Sequence, residues 1–209
     1  MRRPALIALA VLVASAGVGL AHLRAIGGSL LELLGRSDGV AFVQVLGATE
    51  DMPKSYTRLR VVESIAGEVP TGEFLLRHGR QPMRYAKDQR AIVVLARDES
   101  RWQAVQVAGE GLVTDGETLD EPTRRYVSSL WRALREPKPP ADLADRLRLG
   151  LKLPHEKLRL LAAFDLAELA HHPPGLPAST RRALRGDLED PDLDPAARLV
   201  VTRALDDTP

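Results

Sequence analysis

Arg90 to Arg97 reads RAIVVLAR, and this stretch decides the fold. Its centre is continuously apolar and β-branched, short, and bounded by charge, the pattern of a strand that is covered on both faces or lines a barrel. Working outward, Asp98, Glu99 and Ser100 form a hairpin connection into WQAVQV at 102–107. On the other side a long basic loop separates the stretch from EFLLRH at 73–78, which follows the turn AGEVP at 66–70. Further back, YTRLRVVESI at 56–65 sets Thr57, Leu59 and Val61 against Arg58, Arg60 and Val62, so that one face is wet. GVAFVQVLGA at 39–48 alternates Phe42, Gln44 and Leu46 with Val43 and Val45, as a mostly buried strand does. Gly109 to Thr114 offers a last short strand. Five or six strands between turns, in about eighty residues, predict a small antiparallel barrel or sandwich over residues 37–117.

After Thr118 the alternation gives way to helical spacing. Glu121 and Pro122 open a connecting helix within 118–135, with Tyr126, Val127, Leu130, Trp131 and Leu134 on one face. The run EPKPP at 136–140 reads as a stiff linker and a domain boundary. Beyond it, within 141–209, four helices are expected at Asp142 to Leu149, His155 to Ala170, Pro177 to Leu188 and Pro195 to Leu205. HEKLRLLAAFDL at 155–166 aligns without gaps to DPAARLVVTRAL at 194–205, an offset of 39 residues that falls in the range of HEAT-type repeats. Leu158, Leu161, Leu166 and Leu169 make an apolar face on the first of these helices, and Leu199, Val200 and Leu205 on the second. Two repeats are too few for a free solenoid, so the tail is expected to pack on the barrel or on a partner.

The amino terminus reads differently from the rest. Behind Arg2, Arg3 and Pro4 lies an uncharged run from Ala5 to Ala21, with Gly19 and Ala21 supplying small residues for a signal peptidase. Residues 1–21 are therefore expected to be a signal peptide or an uncleaved membrane anchor, the run approaching the length of a spanning helix. LRAIGGSLLELLG at 23–35 follows as a short helix within 22–36. Loss of residues 1–21 would lower Lys+Arg from 29 to 27 against 28 acidic residues, which removes any global basic footprint for nucleic acid or membrane. The chain has no cysteine, which excludes a cysteine-linked lipid anchor, disulfides, thiolate metal sites and a cysteine nucleophile.

The order of features in the middle of the chain resembles that of secreted bacterial proteins with a netrin-like, or inhibitor-of-metalloproteinase-like, barrel of the OB type. The resemblance rests on SDGVAFVQV at 37–45, LRVVESIAGEVP at 59–70, YAKDQRAIVVLA at 85–96 and WQAVQVAGEG at 102–111. It implies an opening strand, a strand ending in a Gly-acidic-hydrophobic-Pro turn, a turn before the central strand and a closing hairpin. Metalloproteinase inhibition is not implied, because in the animal proteins it depends on an N-terminal cysteine. The expected class is thus α+β: a signal or anchor helix, a five- to six-stranded antiparallel OB-like barrel, and a HEAT-like helical tail.

Chemistry is sparse. His171 and His172 lie near Glu168, with Asp165 as the other local candidate, but a metal site needs at least three converging ligands and helix capping accounts for the pair. The acidic run Asp187, Glu189, Asp190, Asp192, Asp194 would place Pro195 and Val201 where a calcium loop needs Gly and Glu. Asp194 instead reads as the cap of a helix beginning at Pro195, the other acids being solvated. Arg77, His78, Arg80, Arg84, Lys87 and Arg90 cluster around the loop between two strands, interrupted by Met83 and Tyr85, and Arg77, Arg80, Arg84, Lys87 and Arg90 form the candidate site for an anionic ligand. Nucleophile elbow, Walker, dinucleotide and H-E-x-x-H motifs are absent. These readings predict no catalytic residue, cofactor or metal. They predict an exported, non-catalytic binding or scaffold module of the bacterial cell envelope, periplasmic or extracellular unless held at the inner membrane by its N-terminal helix. Its partner would be a protein or an envelope polymer, not nucleic acid, with membrane contact only through an uncleaved N-terminus. The alternative is an envelope hydrolase whose His, Asp and Glu residues converge only in the fold.

Overall fold

The computed structural model describes residues 29–47, 56–77, 86–99, 101–105, 119–137 and 142–206. The elements are α1 (Leu30–Gly35), β1 (Gly39–Val45), β2 (Tyr56–Gly67), β3 (Glu73–Arg77), β4 (Arg90–Asp98) and β5 (Arg101–Ala104), then α2 (Glu121–Ala133), α3 (Leu143–Gly150), α4 (Glu156–His171), α5 (Ala178–Leu188) and α6 (Pro195–Asp206). The expected N-terminal signal or anchor run, the strand at 109–114 and most of the linker 136–140 lie outside the described residues.

The strands close into a barrel in the order β1-β2-β3-β5-β4. Four seams are antiparallel, but β3 and β5 run parallel, with Leu76 opposite Trp102 and Arg77 opposite Gln103. The expectation of a purely antiparallel barrel is corrected here, and the reason is topological. Five strands in a ring cannot alternate direction all the way round, so one neighbouring pair must be parallel. The predicted β4–β5 hairpin is present, with Asp98 opposite Arg101 and Glu99 in the left-handed region at φ 53°.

The apolar run of β4 is buried on both faces because it separates two cores. Ala91, Val93 and Leu95 point into the barrel with Ala41, Val43, Val45, Leu59, Leu76 and Ala104. Ile92 and Val94 point outward, with Val40 and Phe42 of β1, into a second core shared with α1, α2 and the tail helices. β2 keeps its wet face, Thr57 and Leu59 being buried and Arg58, Arg60 and Val62 exposed.

Local signals explain the helices. Asp120 caps α2, its carboxylate accepting from the Thr123 amide at 2.8 Å and the Thr123 hydroxyl at 2.7 Å, and Pro122 stands in the first turn. Asp194 caps α6 through the amides of Ala196 and Ala197. The two helices with similar sequences, α4 and α6, pack on each other, and α4 also packs on α3 and α1. The expected faces need two corrections. Leu199 is half exposed while Val200, Val201 and Leu205 are buried, because α6 turns its 197–201–204 side inward. Asp187 is not solvated: it is buried between Arg148 at 2.7 Å and Lys152 at 2.9 Å, joining α5 to the end of α3.

The tail reaches the barrel through α1 and α2. Tyr126 faces the tail, its ring lying where Gly150 and Ala162 approach α2. Trp131 faces the barrel end, donating from Nε1 to Ser37 Oγ at 3.0 Å and lying against Gly67. Arg135 stacks on Trp131, 3.6 Å from the ring centroid, and donates to the carbonyl oxygens of Leu34 and Ser37.

Candidate functional site

Helices cover only part of the barrel. On β2, β3 and β5 the outward side chains of Arg58, Arg60, Glu73, Leu75, Arg77 and Arg101 are exposed. Pairing across β2 and β3 sets Tyr56 opposite Arg77, Arg58 opposite Leu75 and Arg60 opposite Glu73. The β3–β5 contact is short, and the inward aromatic rings of Phe74 and Trp102 remain only partly buried against the barrel core.

The result is a groove of about 590 Å³ lined by Tyr56, Arg58, Glu73, Phe74, Leu75, Arg101 and Trp102. Its carboxylate is held from one side: Arg60 approaches Glu73 at 2.7 Å and Arg58 at 3.4 Å. The hydrogen bond from Arg60, opposed by desolvation and helped by the charges of Arg60 and Arg58, holds Glu73 below the usual carboxylate range. Chemically, the groove combines aromatic residues with guanidinium donors. That combination suits an extended ligand carrying carboxylate or phosphate groups, since a guanidinium fork meets such groups with two parallel hydrogen bonds.

The sequence-predicted loop cluster is distributed differently. Arg80, Arg84 and His78 lie outside the described residues. Arg77 is exposed beside the groove, 3.8 Å from Asp98. Lys87 and Arg90 are exposed at the start of β4, next to β1, where Arg90 is opposite Gln44. Arg77 is level with Gln103, which is level with Ala96, six positions along β4 from Arg90, so the two ends of the cluster are not neighbours. Of the five cations proposed from sequence, only Arg77 adjoins the groove among the described residues.

No family model, curated protein or solved structure gives a significant match to this chain.

The histidines stand apart from the groove. His155 Nε2 lies 3.0 Å from Asp120 Oδ2, and the same carboxylate caps α2; burial acts to raise the acid, but the bonds from Thr123 and His155 prevail and lower it. His171 bonds the Ala167 carbonyl oxygen at the end of α4, and His172 lies exposed 3.9 Å from Glu168. Asp165, a metal candidate in the sequence, is buried and binds Ser29 and the amide of Leu31 instead. Among the described residues no group of three His, Asp or Glu is placed to hold a metal ion.

Sequence reasoning missed Tyr56, Arg58, Phe74, Arg101 and Trp102 as a group. Each was visible only as part of a strand. What joins them is the parallel β3–β5 seam, a pairing between residues far apart in sequence that no local pattern announces.

Proposed function

We propose that the protein is an exported, non-catalytic binding module of the bacterial cell envelope, and that it holds an acidic polymer along the β2–β3–β5 face of the barrel. The observation that carries this reading is the convergence of Tyr56, Phe74 and Trp102 with Arg58 and Arg101 in one groove on β2, β3 and β5. The strand order β1-β2-β3-β5-β4 with one parallel seam supports assigning the barrel to the OB type, whose β2–β3 face is a common site for oligosaccharides and oligonucleotides. Export favours the saccharide, and that part of the reading rests on the basic and apolar character of residues 1–21. Among the described residues no helix is long and apolar enough to cross a membrane. The tail is read as two HEAT-like helical hairpins, α3–α4 and α5–α6. Support comes from the contact of α4 with α6 and from the Thr180–Asp145 hydrogen bond of 2.8 Å that ties α5 to α3.

Tryptophan fluorescence provides the test. In a Trp131→Phe variant Trp102 is the remaining reporter, and titration with an acidic oligosaccharide such as a uronic acid hexamer should change its emission saturably. Arg58→Ala with Arg101→Ala should weaken that binding about tenfold or more, since each removes a charge-assisted contact. Their removal should barely move the melting temperature, because exposed ion pairs contribute little. Binding unaffected by the double variant would refute the assignment of this face.

A further inference from the structure

A second groove, of about 410 Å³, lies between β2 and α2 and is lined by Ser64, Ile65, Glu121, Arg124, Arg125, Ser128, Ser129 and Arg132. The α2 residues are spaced at three and four positions, so they form one stripe along the helix, beside the apolar stripe of Tyr126, Val127 and Leu130. The two ends of the stripe differ in charge. Glu121 binds both Arg124 and Arg125, and Arg124 also lies 3.2 Å from Glu63, so these arginines are already neutralised. Arg132 lies seven positions beyond Arg125 and eleven beyond Glu121, about 10 to 16 Å along the helix, at or beyond the screening length of ordinary buffers.

Around Arg132 the polar groups are unspent. Ser128 is 7% exposed, yet its hydroxyl lines the groove and has no hydrogen-bond partner among the described residues, and neither has the Ser64 hydroxyl on the facing strand. The Arg132 guanidinium likewise has no ion pair among the described residues. Ser129 differs, since its hydroxyl already donates to the Tyr126 carbonyl oxygen at 2.9 Å. Here donors from a helix, a strand and a guanidinium all front one groove. A tetrahedral oxyanion accepts from several directions at once, whereas a carboxylate is served by a single planar fork.

We propose that the groove between β2 and α2 is a binding site for a phosphate group, held by Arg132 and the hydroxyls of Ser128 and Ser64. The groove is larger than the phosphate itself, so the group can be the head of an ester whose body lies toward Ile65. This site is separate from the β2–β3–β5 face and does not depend on it.

Calorimetric titration of the full chain, at constant ionic strength with chloride as the background anion, tests the proposal with two probes: inorganic phosphate, and dihexanoyl-phosphatidylglycerol below its micelle concentration. At least one should bind with a Kd on the order of millimolar or tighter. Tighter binding of inorganic phosphate identifies a free anion as the ligand, and tighter binding of the lipid identifies a headgroup. Arg132→Gln should weaken the binding about tenfold or more and Ser128→Ala severalfold, while Arg125→Gln leaves it within about twofold. Arg132 is exposed, so its replacement should not disturb folding. Arg58→Ala with Arg101→Ala should leave phosphate binding intact, which separates this site from the open face. Failure of both probes to bind, or unchanged binding in Arg132→Gln, would overturn the proposal.

Discussion

At Asp165 a carboxylate has been taken out of water to tie two helices together. Ser29 accepts from the Glu32 amide to cap α1 and donates its own hydroxyl to Asp165 at 2.5 Å, and the Leu31 amide donates to the other carboxylate oxygen at 3.0 Å. Burial pushes the Asp165 pKa up to about 7, against the pull of the Ser29 and Leu31 hydrogen bonds, and the neighbouring Tyr126 phenol is pushed up by burial and by the charge of Asp165. Because the folded pKa exceeds the unfolded value of 3.8, the folded state binds the extra proton between about pH 4 and pH 7. Stability from this group is therefore greatest at low pH and falls as pH rises through that window, by roughly 4 kcal/mol in all. Asp120 and Asp187 act in the opposite sense. In each, burial raises the acid but hydrogen bonds and charges outweigh it, for Asp187 from Lys152 and Arg148, so their contribution is lost only below about pH 4. Asp165→Asn keeps an acceptor for the Leu31 amide without the charge. Urea midpoints measured from pH 4.5 to 8 should show a decline for the native chain and little slope for the variant, with the variant at least as stable at pH 8. An unchanged slope would contradict the assignment.

Among the elements, the junction of α3 with α2 and α4 is closely packed. A methyl group on Gly150 would stand 2.4 Å from the Tyr126 hydroxyl and 2.7 Å from the Ala162 methyl, whereas the same group on Gly186 of α5 would meet open space. Gly150→Ala should therefore cost about 1–3 kcal/mol through overpacking. Gly186→Ala should gain up to about 1 kcal/mol from helix propensity. Chemical denaturation of the two variants checks the contrast, and equal effects would show that α3 does not close on Tyr126. Element boundaries were largely legible because their signals are local. Asp120 with Pro122 and Asp194 with Pro195 mark helix starts, and the four tail helices fall within a residue or two of their expected ends. The two-sided burial of β4 was legible from its unbroken Ile-Val-Val-Leu run. Leu199 and Asp187 were misread for a common reason: which side of a short helix turns inward depends on neighbours that its own sequence does not name. The parallel seam and the groove above it were hidden in the same way, since they arise from where β5 inserts in the ring.

Across the whole molecule, the cores on the two sides of residues 136–140 are continuous. Leu147, Leu158, Leu161 and Val201 share one buried cluster with Tyr126, Leu130, Phe42 and Ile92. Removing everything after Pro139 would uncover Tyr126 and the outward faces of α1 and α2, exposing apolar area that contributes about 25 cal/mol per Å². A fragment of residues 22–139 should therefore melt well below the chain of residues 22–209 and bind a hydrophobic dye. Equal melting temperatures would show that the tail serves a partner instead of the barrel.

Among the described residues the helices pack on β1, β4 and the C-terminal part of β2, and they leave β3, β5 and the Tyr56–Arg60 part of β2 uncovered, where we propose that the ligand lies. Chemical-shift mapping on the isotopically labelled chain, titrated with soluble peptidoglycan fragments and with a uronic acid hexamer, tests this placement most directly. Saturable perturbations are expected within Tyr56–Arg60, Glu73–Arg77 and Arg101–Gln103, with the amides of α3 to α6 unmoved. Perturbations confined to the helical tail, or none with either ligand, would contradict it.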